Sequence, residues 1–162
     1  MSDRTHVQLI VHDCPPDQAA AVLSIIDQHD LHLEYVEDGQ PADGQLGLGL
    51  TYMDPEVVCG SAQLIAQELE QSAPGASWEV WEDPKYEWLG DLYRFTPTFG
   101  PWTANCDAEG TPVFTPDEVH RLAVLPNTVD EPARARALGE AHADALRALA
   151  ARNEGIVLDP ND

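Results

Sequence analysis

The stretch that decides the fold is residues 5–27, THVQLIVHDCPPDQAAAVLSIID. At its start Val7, Leu9 and Val11 alternate with polar residues, which is typical of a strand that buries one face. The two prolines and the acid that follow favour a helix start, because proline suits the first helical turn and a carboxylate there interacts well with the helix dipole. The apolar spacing then predicts a helix whose core-facing residues are Ala19, Val22, Leu23 and Ile26.

Two more strands are predicted downstream of this helix. Residues 32–36 form the second predicted strand, and residues 37–44, which contain Asp38 and Gly39, form a polar hairpin connection. Residues 46–50 alternate leucine with glycine, and this pattern predicts a third strand with one leucine face and one bare face.

Asp54-Pro55-Glu56 is the clearest local signal for a helix start. Aspartate is a good N-cap, proline suits the first helical position, and glutamate is favourable beside the positive end of the helix dipole. We expect this helix to run from Pro55 to about Ser72, and a fourth strand to span residues 77–82. The order of elements predicts an α+β fold, a ferredoxin-like βαββαβ sandwich with both helices on one face of an antiparallel sheet.

The second half of the chain predicts a short antiparallel β-meander followed by two helices. Strands are expected at residues 89–95, 102–106 and 112–114, and Thr115-Pro116-Asp117-Glu118 is typical of the cap of a short helix that ends near Pro126. Thr128 to Pro132 then begin a long alanine-rich helix. We expect a single domain over residues 1–162, with an acidic βαββαβ unit at 1–84, the meander and short helix at 85–126, the C-terminal helix at 127–152 and a frayed tail at 153–162.

Four short motifs of the second half carry a family resemblance. They are Tyr93-Arg-Phe-Thr-Pro97, Phe99-Gly-Pro-Trp102, Cys106-Asp-Ala-Glu-Gly110 and Thr115-Pro-Asp-Glu-Val119, and an Ala/Leu helix follows them. Through these motifs residues 90–150 resemble small uncharacterised proteins of actinobacteria and their phages. Because that family has no assigned activity, the resemblance implies no functional residue.

The composition indicates a folded protein rather than a disordered one, since 43% of the residues are hydrophobic and four are tryptophan. The first residues lack an apolar stretch of signal-peptide length, and no apolar run reaches the roughly 18 residues that a membrane span requires. We therefore expect a cytoplasmic protein without membrane contact. The widely spaced Cys14, Cys59 and Cys106 predict neither a disulfide framework nor a C-x-x-C metal site.

Charge is the unusual property of this chain, because 29 acidic residues stand against 8 lysines and arginines and give a net charge of −21. Residues 5–84 contain 15 acids and no lysine or arginine, whereas residues 85–162 contain 13 acids and 7 bases. The carboxylates of the first half are therefore solvated, engaged in helix caps, or available to an external cation. Direct binding to nucleic acid or to an anionic membrane is disfavoured, since both require clustered bases.

These properties favour an acidic, non-enzymatic interaction protein that binds a basic surface of another macromolecule, such as a nucleic-acid-binding protein. In its sharpest form this is a nucleic-acid-mimic inhibitor of phage or plasmid origin, because carboxylates along helix faces and loops imitate phosphates. An exposed tryptophan beside such a surface suits an arginine-rich partner. The predicted interaction residues are acids and two tryptophans: Glu34, Glu37, Asp38, Asp54, Glu56, Glu68, Glu70, Trp81, Glu82, Asp83 and Trp88.

A second interpretation is a small-molecule or metal-binding module, including an enzyme, that uses the open face of the sheet. Strand alternation places His6, His12, Glu34 and Glu79 on the face away from the helices, together with His32. A polar face of this kind is also what any antiparallel sheet presents to solvent, and a third interpretation attributes the acidity to a salt-rich habitat or to solubility. No catalytic or cofactor-binding motif is found, so we predict no cofactor and leave the partner's identity and the oligomeric state open.

Overall fold

The computed structural model describes residues 3–35, 37, 39–123 and 136–161. Within these ranges the protein is a mixed α+β structure built on a seven-stranded antiparallel sheet, with a separate two-stranded pair. The strands are β1 (Arg4–Asp13), β2 (His32–Leu33), β3 (Leu46–Gly47), β4 (Thr51–Val58), β5 (Ser77–Glu82), β6 (Gly90–Thr96), β7 (Gly100–Cys106), β8 (Pro112–Val113) and β9 (Val157–Leu158). The helices are α1 (Ala19–Gln28), α2 (Ser61–Ser72), α3 (Pro116–Ala123) and α4 (Glu140–Arg152).

The seven strands follow one another across the sheet in the order β2-β4-β1-β5-β6-β7-β8, and each neighbouring pair is antiparallel. On β1 the side chains of Val7, Leu9 and Val11 are fully buried in one core with α1 and α2. This confirms the strand and the amphipathic helix that residues 5–27 predict. In α1 the buried face also includes Ile25, whereas Leu23 is only half-buried.

The helix predicted to begin at Pro55 starts later than expected. Asp54, Pro55 and Glu56 belong to β4, and α2 begins only at Ser61. The register between β1 and β4 shifts at this point, so that Pro55 and Glu56 lie in a β-bulge. A bulge leaves a position unpaired and therefore accommodates proline, which has no N–H to donate. Asp54 still accepts a 2.9 Å hydrogen bond from the Glu56 N–H, but pairing with β1 outweighs the local preference for a helix.

The predicted third strand is also corrected. Residues 46–47 form β3, which pairs with β9 near the C-terminus rather than with the main sheet, and β4 occupies the expected position in the sheet. The predicted second strand shortens to the two residues of β2. The last ten residues, which we expected to fray, include β9, and the Gln45 side chain donates a 3.2 Å hydrogen bond to the carboxylate of Asp159.

The meander predicted for the second half is present, because β6, β7 and β8 extend the same sheet. The predicted capping sequence forms a reciprocal pair of hydrogen bonds, in which the Thr115 N–H donates to the Glu118 carboxylate at 2.9 Å and the Glu118 N–H to the Thr115 hydroxyl at 3.2 Å. The helix start predicted at residues 128–132 lies outside the described residues. Among the helices that are described, none combines the length and apolarity needed to cross a lipid bilayer.

The sheet face opposite α1 and α2 was expected to be open, but α4 covers part of it. The ring of His142 on α4 stacks on Trp102 of β7 with a centroid distance of 6.2 Å, and its Nε2 lies 2.8 Å from the Gly100 carbonyl oxygen. At the end of α4 the Asn153 side chain donates a 2.8 Å hydrogen bond to the backbone carbonyl of His12. The helix is thereby held against β1 and β7.

Candidate interaction surface

The carboxylates of the first half receive few counter-charges. Arg94 Nε lies 3.0 Å from Glu79 Oε2, and Arg152 Nη2 lies 3.3 Å from Asp13 Oδ2; both arginines come from the second half. Among the described residues, the other side-chain ion pairs of residues 5–84 involve histidines: His6 with Asp83, His12 with Glu79, and His29 with Glu68. Most carboxylates of the first half therefore have no cationic partner within the described chain.

Two of the predicted interaction residues are buried. Glu82 is only 4% exposed, and its Oε1 accepts 2.8 Å hydrogen bonds from the backbone N–H groups of Gly60 and Ala62. It therefore caps the N-terminus of α2 from a neighbouring strand, where the N-cap residue is itself a glycine without a side-chain oxygen. Trp81 is 7% exposed and donates from its indole N–H to the Ala108 carbonyl at 3.1 Å.

The other predicted interaction residues are spread over the surface. Asp54 and Glu56 lie on β4, at the bulge, rather than on a helix. Glu70 is half-buried on α2, and Asp83 is half-buried where it accepts a 3.0 Å hydrogen bond from the Gln8 side chain. Asp38 lies outside the described residues, whereas the following side chains are exposed: Glu34, Glu37, Glu56 and Trp88.

The structure gathers a different set of acids into a cleft. It has a volume of about 940 Å³ and lies between the C-terminal part of α1, the strand β2 and the loop 39–45. The described residues that line this acidic cleft include His32 but no lysine or arginine. Four of them are carboxylates: Asp27, Asp30, Glu37 and Asp43. All four side chains are exposed to solvent. Only Glu37 belongs to the set predicted from the sequence.

The acidic cleft combines these charges with apolar walls. Leu31 and Tyr52 are buried core residues that also line it, and Leu23 and Leu33 contribute half-buried surface. The oxygen of the Gln40 side-chain amide is buried there and has no hydrogen-bond partner among the described residues. Carboxylates that share a cleft with low-dielectric walls produce a stronger negative potential than the same charges on an open surface.

Of the histidines and glutamates in the second interpretation, the structure brings His12 and Glu79 together, whereas His32 lines the acidic cleft. His12 Nε2 lies 3.2 Å from Glu79 Oε1 and His6 Nδ1 lies 3.5 Å from Asp83 Oδ2, while Glu34 follows the short edge strand β2. Within the described residues, no group of three or more His, Cys, Asp or Glu side chains is placed to hold a metal ion. Arg94 Nε lies 3.0 Å from Glu79 Oε2, so this carboxylate already has a cationic partner.

His12, Glu79 and Arg94 form a polar cluster in a cavity of about 200 Å³ beneath α4. Burial by itself raises the pKa of the Glu79 carboxyl, but the hydrogen bond with His12 and the positive charge of Arg94 act in the opposite direction and hold that pKa below its ordinary value. Nδ1 of His12 is buried and has no partner among the described residues. The cluster contributes chiefly to the contact between the sheet and α4.

The three thiols offer no activated nucleophile. Cys14 and Cys106 are buried, and burial together with neighbouring acids raises the pKa of each to about 12. Cys59 is exposed, but partial desolvation and the charges of Glu82 and Asp3 also raise its pKa. A raised pKa lowers the thiolate fraction, and the thiolate is the reactive form.

The described surface thus combines an acidic cleft, whose described lining contains His32 but no lysine or arginine, with an exposed Trp88. A comparison with protein-family models, with curated proteins and with solved structures finds no match to this chain.

Proposed function

We propose that this protein is a non-enzymatic binding module for a basic surface of another macromolecule, and that the acidic cleft is its contact site. The observation that carries the proposal is the grouping of four carboxylates around one cleft whose described lining holds no lysine or arginine: Asp27, Asp30, Glu37 and Asp43. These carboxylates repel one another at neutral pH, and a cationic ligand removes that repulsion.

The shape of the acidic cleft suits a lysine or arginine side chain. Such a side chain has an apolar stem and a charged end. Leu23, Leu31 and Leu33 offer apolar surface for the stem, and the carboxylates offer acceptors for the charged end. In the more specific form of the proposal, the protein is a nucleic-acid mimic. Several of its carboxylates then contact a basic groove that otherwise binds phosphates.

We also propose that the elements from β1 to β5 form a ferredoxin-like unit, in which β3 is an insertion. Support comes from the strand order β2-β4-β1-β5, which puts the first strand between the third and fourth strands of the unit. All three pairings in it are antiparallel, and both α1 and α2 contribute to the core on one face of β1. In this unit the acidic cleft lies beside the edge strand β2. The free thiols suit a reducing, cytoplasmic location.

The test uses a lysine nonapeptide as a model basic ligand. Its affinity is measured by titration calorimetry for the unmodified protein and for the variant Asp27→Asn, Asp30→Asn, Glu37→Gln, Asp43→Asn. We expect binding that weakens about tenfold or more as ionic strength rises from about 50 to about 300 mM, because exposed charges are screened beyond the Debye length. We expect the variant to lose most of this binding.

A matched control removes the same amount of charge elsewhere. Asp17→Asn, Glu56→Gln, Glu140→Gln and Glu154→Gln neutralise four exposed acids that do not line the acidic cleft. Equal weakening by both variants would mean that only net charge matters, and affinity insensitive to salt would contradict the proposal. Displacement of duplex DNA from a basic DNA-binding domain tests the mimic form separately.

A further inference from the structure

The connection between β5 and β6 contains a tight turn that carries two aromatic residues, Tyr86 and Trp88. Lys85 and Trp88 exchange two backbone hydrogen bonds of 2.9 Å each, which leaves Tyr86 and Glu87 as the two residues of the turn. Tyr86 has a φ of 53°, in the left-handed region that glycine and asparagine adopt more readily than an aromatic residue. We call residues 85–89 the hairpin tip. The two backbone hydrogen bonds close the turn, and the side chains of Tyr86, Trp88 and Leu89 project from it into solvent.

The hairpin tip displays two of the three most exposed aromatic side chains of the described residues. Tyr86 is 85% exposed, Trp88 is 69% exposed and Leu89 is 50% exposed. By contrast, Trp78 and Trp81 are buried, and Trp102 is half-buried against α4. Adjacent exposed apolar side chains of this size are uncommon on a monomer and mark interaction sites, and tryptophan and tyrosine are the residues that most often anchor interfaces.

The surroundings of the hairpin tip are acidic. Asp83 precedes it and Glu87 lies within it, while the turn that contains Glu109 is brought alongside by the pairing of Gly90 with Cys106. The one basic residue of the tip is Lys85, whose Nζ lies 5.2 Å from the centroid of the Tyr86 ring. The chain thus already places a cation over one of these rings, which is the arrangement of a cation–π contact.

The negative charge and the exposed aromatic rings indicate which partner binds at the hairpin tip. A second copy of the chain, or an anionic membrane, would bring more negative charge to a protein of net charge −21. A guanidinium group has the planar shape to stack on an indole ring and the N–H donors to reach neighbouring carboxylates, whereas an ammonium has only the compact charge.

We propose that the hairpin tip is an arginine-binding site. Guanidinium groups of the basic partner stack there against Trp88 and Tyr86, while Asp83 and Glu87 accept their hydrogen bonds. The inference rests on the proposed function, since it assumes a basic partner, but it concerns a site distinct from the acidic cleft. It assigns selectivity for arginine over lysine to the hairpin tip and general attraction of positive charge to the acidic cleft.

The test compares arginine and lysine nonapeptides of equal charge, with affinities measured by titration calorimetry at one salt concentration. We expect the unmodified protein to prefer the arginine peptide by about fivefold, the factor that corresponds to roughly 1 kcal/mol for an exposed cation–π contact. Trp88→Ala should abolish this preference by weakening binding of the arginine peptide more than that of the lysine peptide, since an ammonium also makes cation–π contacts. The control Tyr35→Ala removes another exposed aromatic, 71% exposed, and should keep the preference.

The outcomes separate the two proposals. Binding of both peptides with equal affinity, or a preference for arginine that survives Trp88→Ala and Tyr86→Ala, would overturn the proposal that the hairpin tip binds arginine. Neither result would contradict the proposal for the acidic cleft. Binding of neither peptide would overturn both proposals. Because Trp88 and Tyr86 are exposed and the turn is closed by backbone groups, the variants should keep the unfolding midpoint of the unmodified protein.

Discussion

Replacing the buried Glu82 by alanine should destabilise the protein strongly, although Glu82 is one of the interaction residues predicted from the sequence. The side chain is 4% exposed and accepts two 2.8 Å hydrogen bonds, from the N–H groups of Gly60 and Ala62. Loss of an N-cap costs about 1 kcal/mol. An N–H group left buried without an acceptor costs a further ~1–3 kcal/mol. We therefore expect Glu82→Ala to lower the free energy of unfolding by about 3 kcal/mol.

The assay is equilibrium unfolding in urea. With a slope of about 2 kcal/mol per molar urea, the expected loss moves the midpoint down by about 1.5 M. Glu82→Gln retains one acceptor oxygen and loses the charge, so its effect should be about 1 kcal/mol. The control Glu87→Ala changes an exposed glutamate in the connection that follows β5 and should leave the midpoint unchanged. A midpoint for Glu82→Ala within about 0.3 M of the unmodified protein would refute the capping argument.

Two other predictions concern stability. The pKa of Glu79 is held below its ordinary value, so the contribution of Glu79 to stability is present above its ordinary pKa and is lost as the pH falls through the lowered pKa. Urea midpoints measured between neutral and acidic pH should show this loss. Glu79→Gln should reduce the dependence of the midpoint on pH in the acidic range. Gly110 has a φ of 75°, and a Cβ there would lie 2.8 Å from the Trp81 ring, so Gly110→Ala should cost about 2 kcal/mol or more in urea unfolding. Gly155→Ala has a similar φ of 78° without a neighbour within 4 Å, and it should cost about 1 kcal/mol; equal effects of the two alanine variants would contradict the clash.

The local signals of the sequence were most reliable where they agreed with long-range pairing. The alternation of Val7, Leu9 and Val11 predicts β1 correctly because its neighbours on both sides are strands that share the same core. The cap at Thr115 forms as predicted because both partners lie within one turn of chain. In each case the interaction that decides the structure lies close in sequence or follows the strand period.

Local and long-range preferences conflict at Asp54-Pro55-Glu56. These residues favour a helix start, but Val57 on the far side of them is buried where β4 pairs with β1. Burial and the ladder hydrogen bonds between β4 and residues 4–10 of β1 exceed the roughly 1 kcal/mol of a helix cap. The cap of α2 is then supplied by Glu82, 20 residues later than Ala62 in the sequence, and no local pattern indicates that partner.

Composition and short-range periodicity predict the α+β class, the meander and the excess of carboxylates in residues 5–84, which contain no lysine or arginine. Which acids share a surface depends on the fold, which places Asp27 and Asp43 around one cleft, buries Glu82 and Trp81, and leaves Trp88 exposed. No local pattern indicates this, because burial depends on contacts between residues far apart in the chain, and one strand pairing decides whether a side chain faces water or the core.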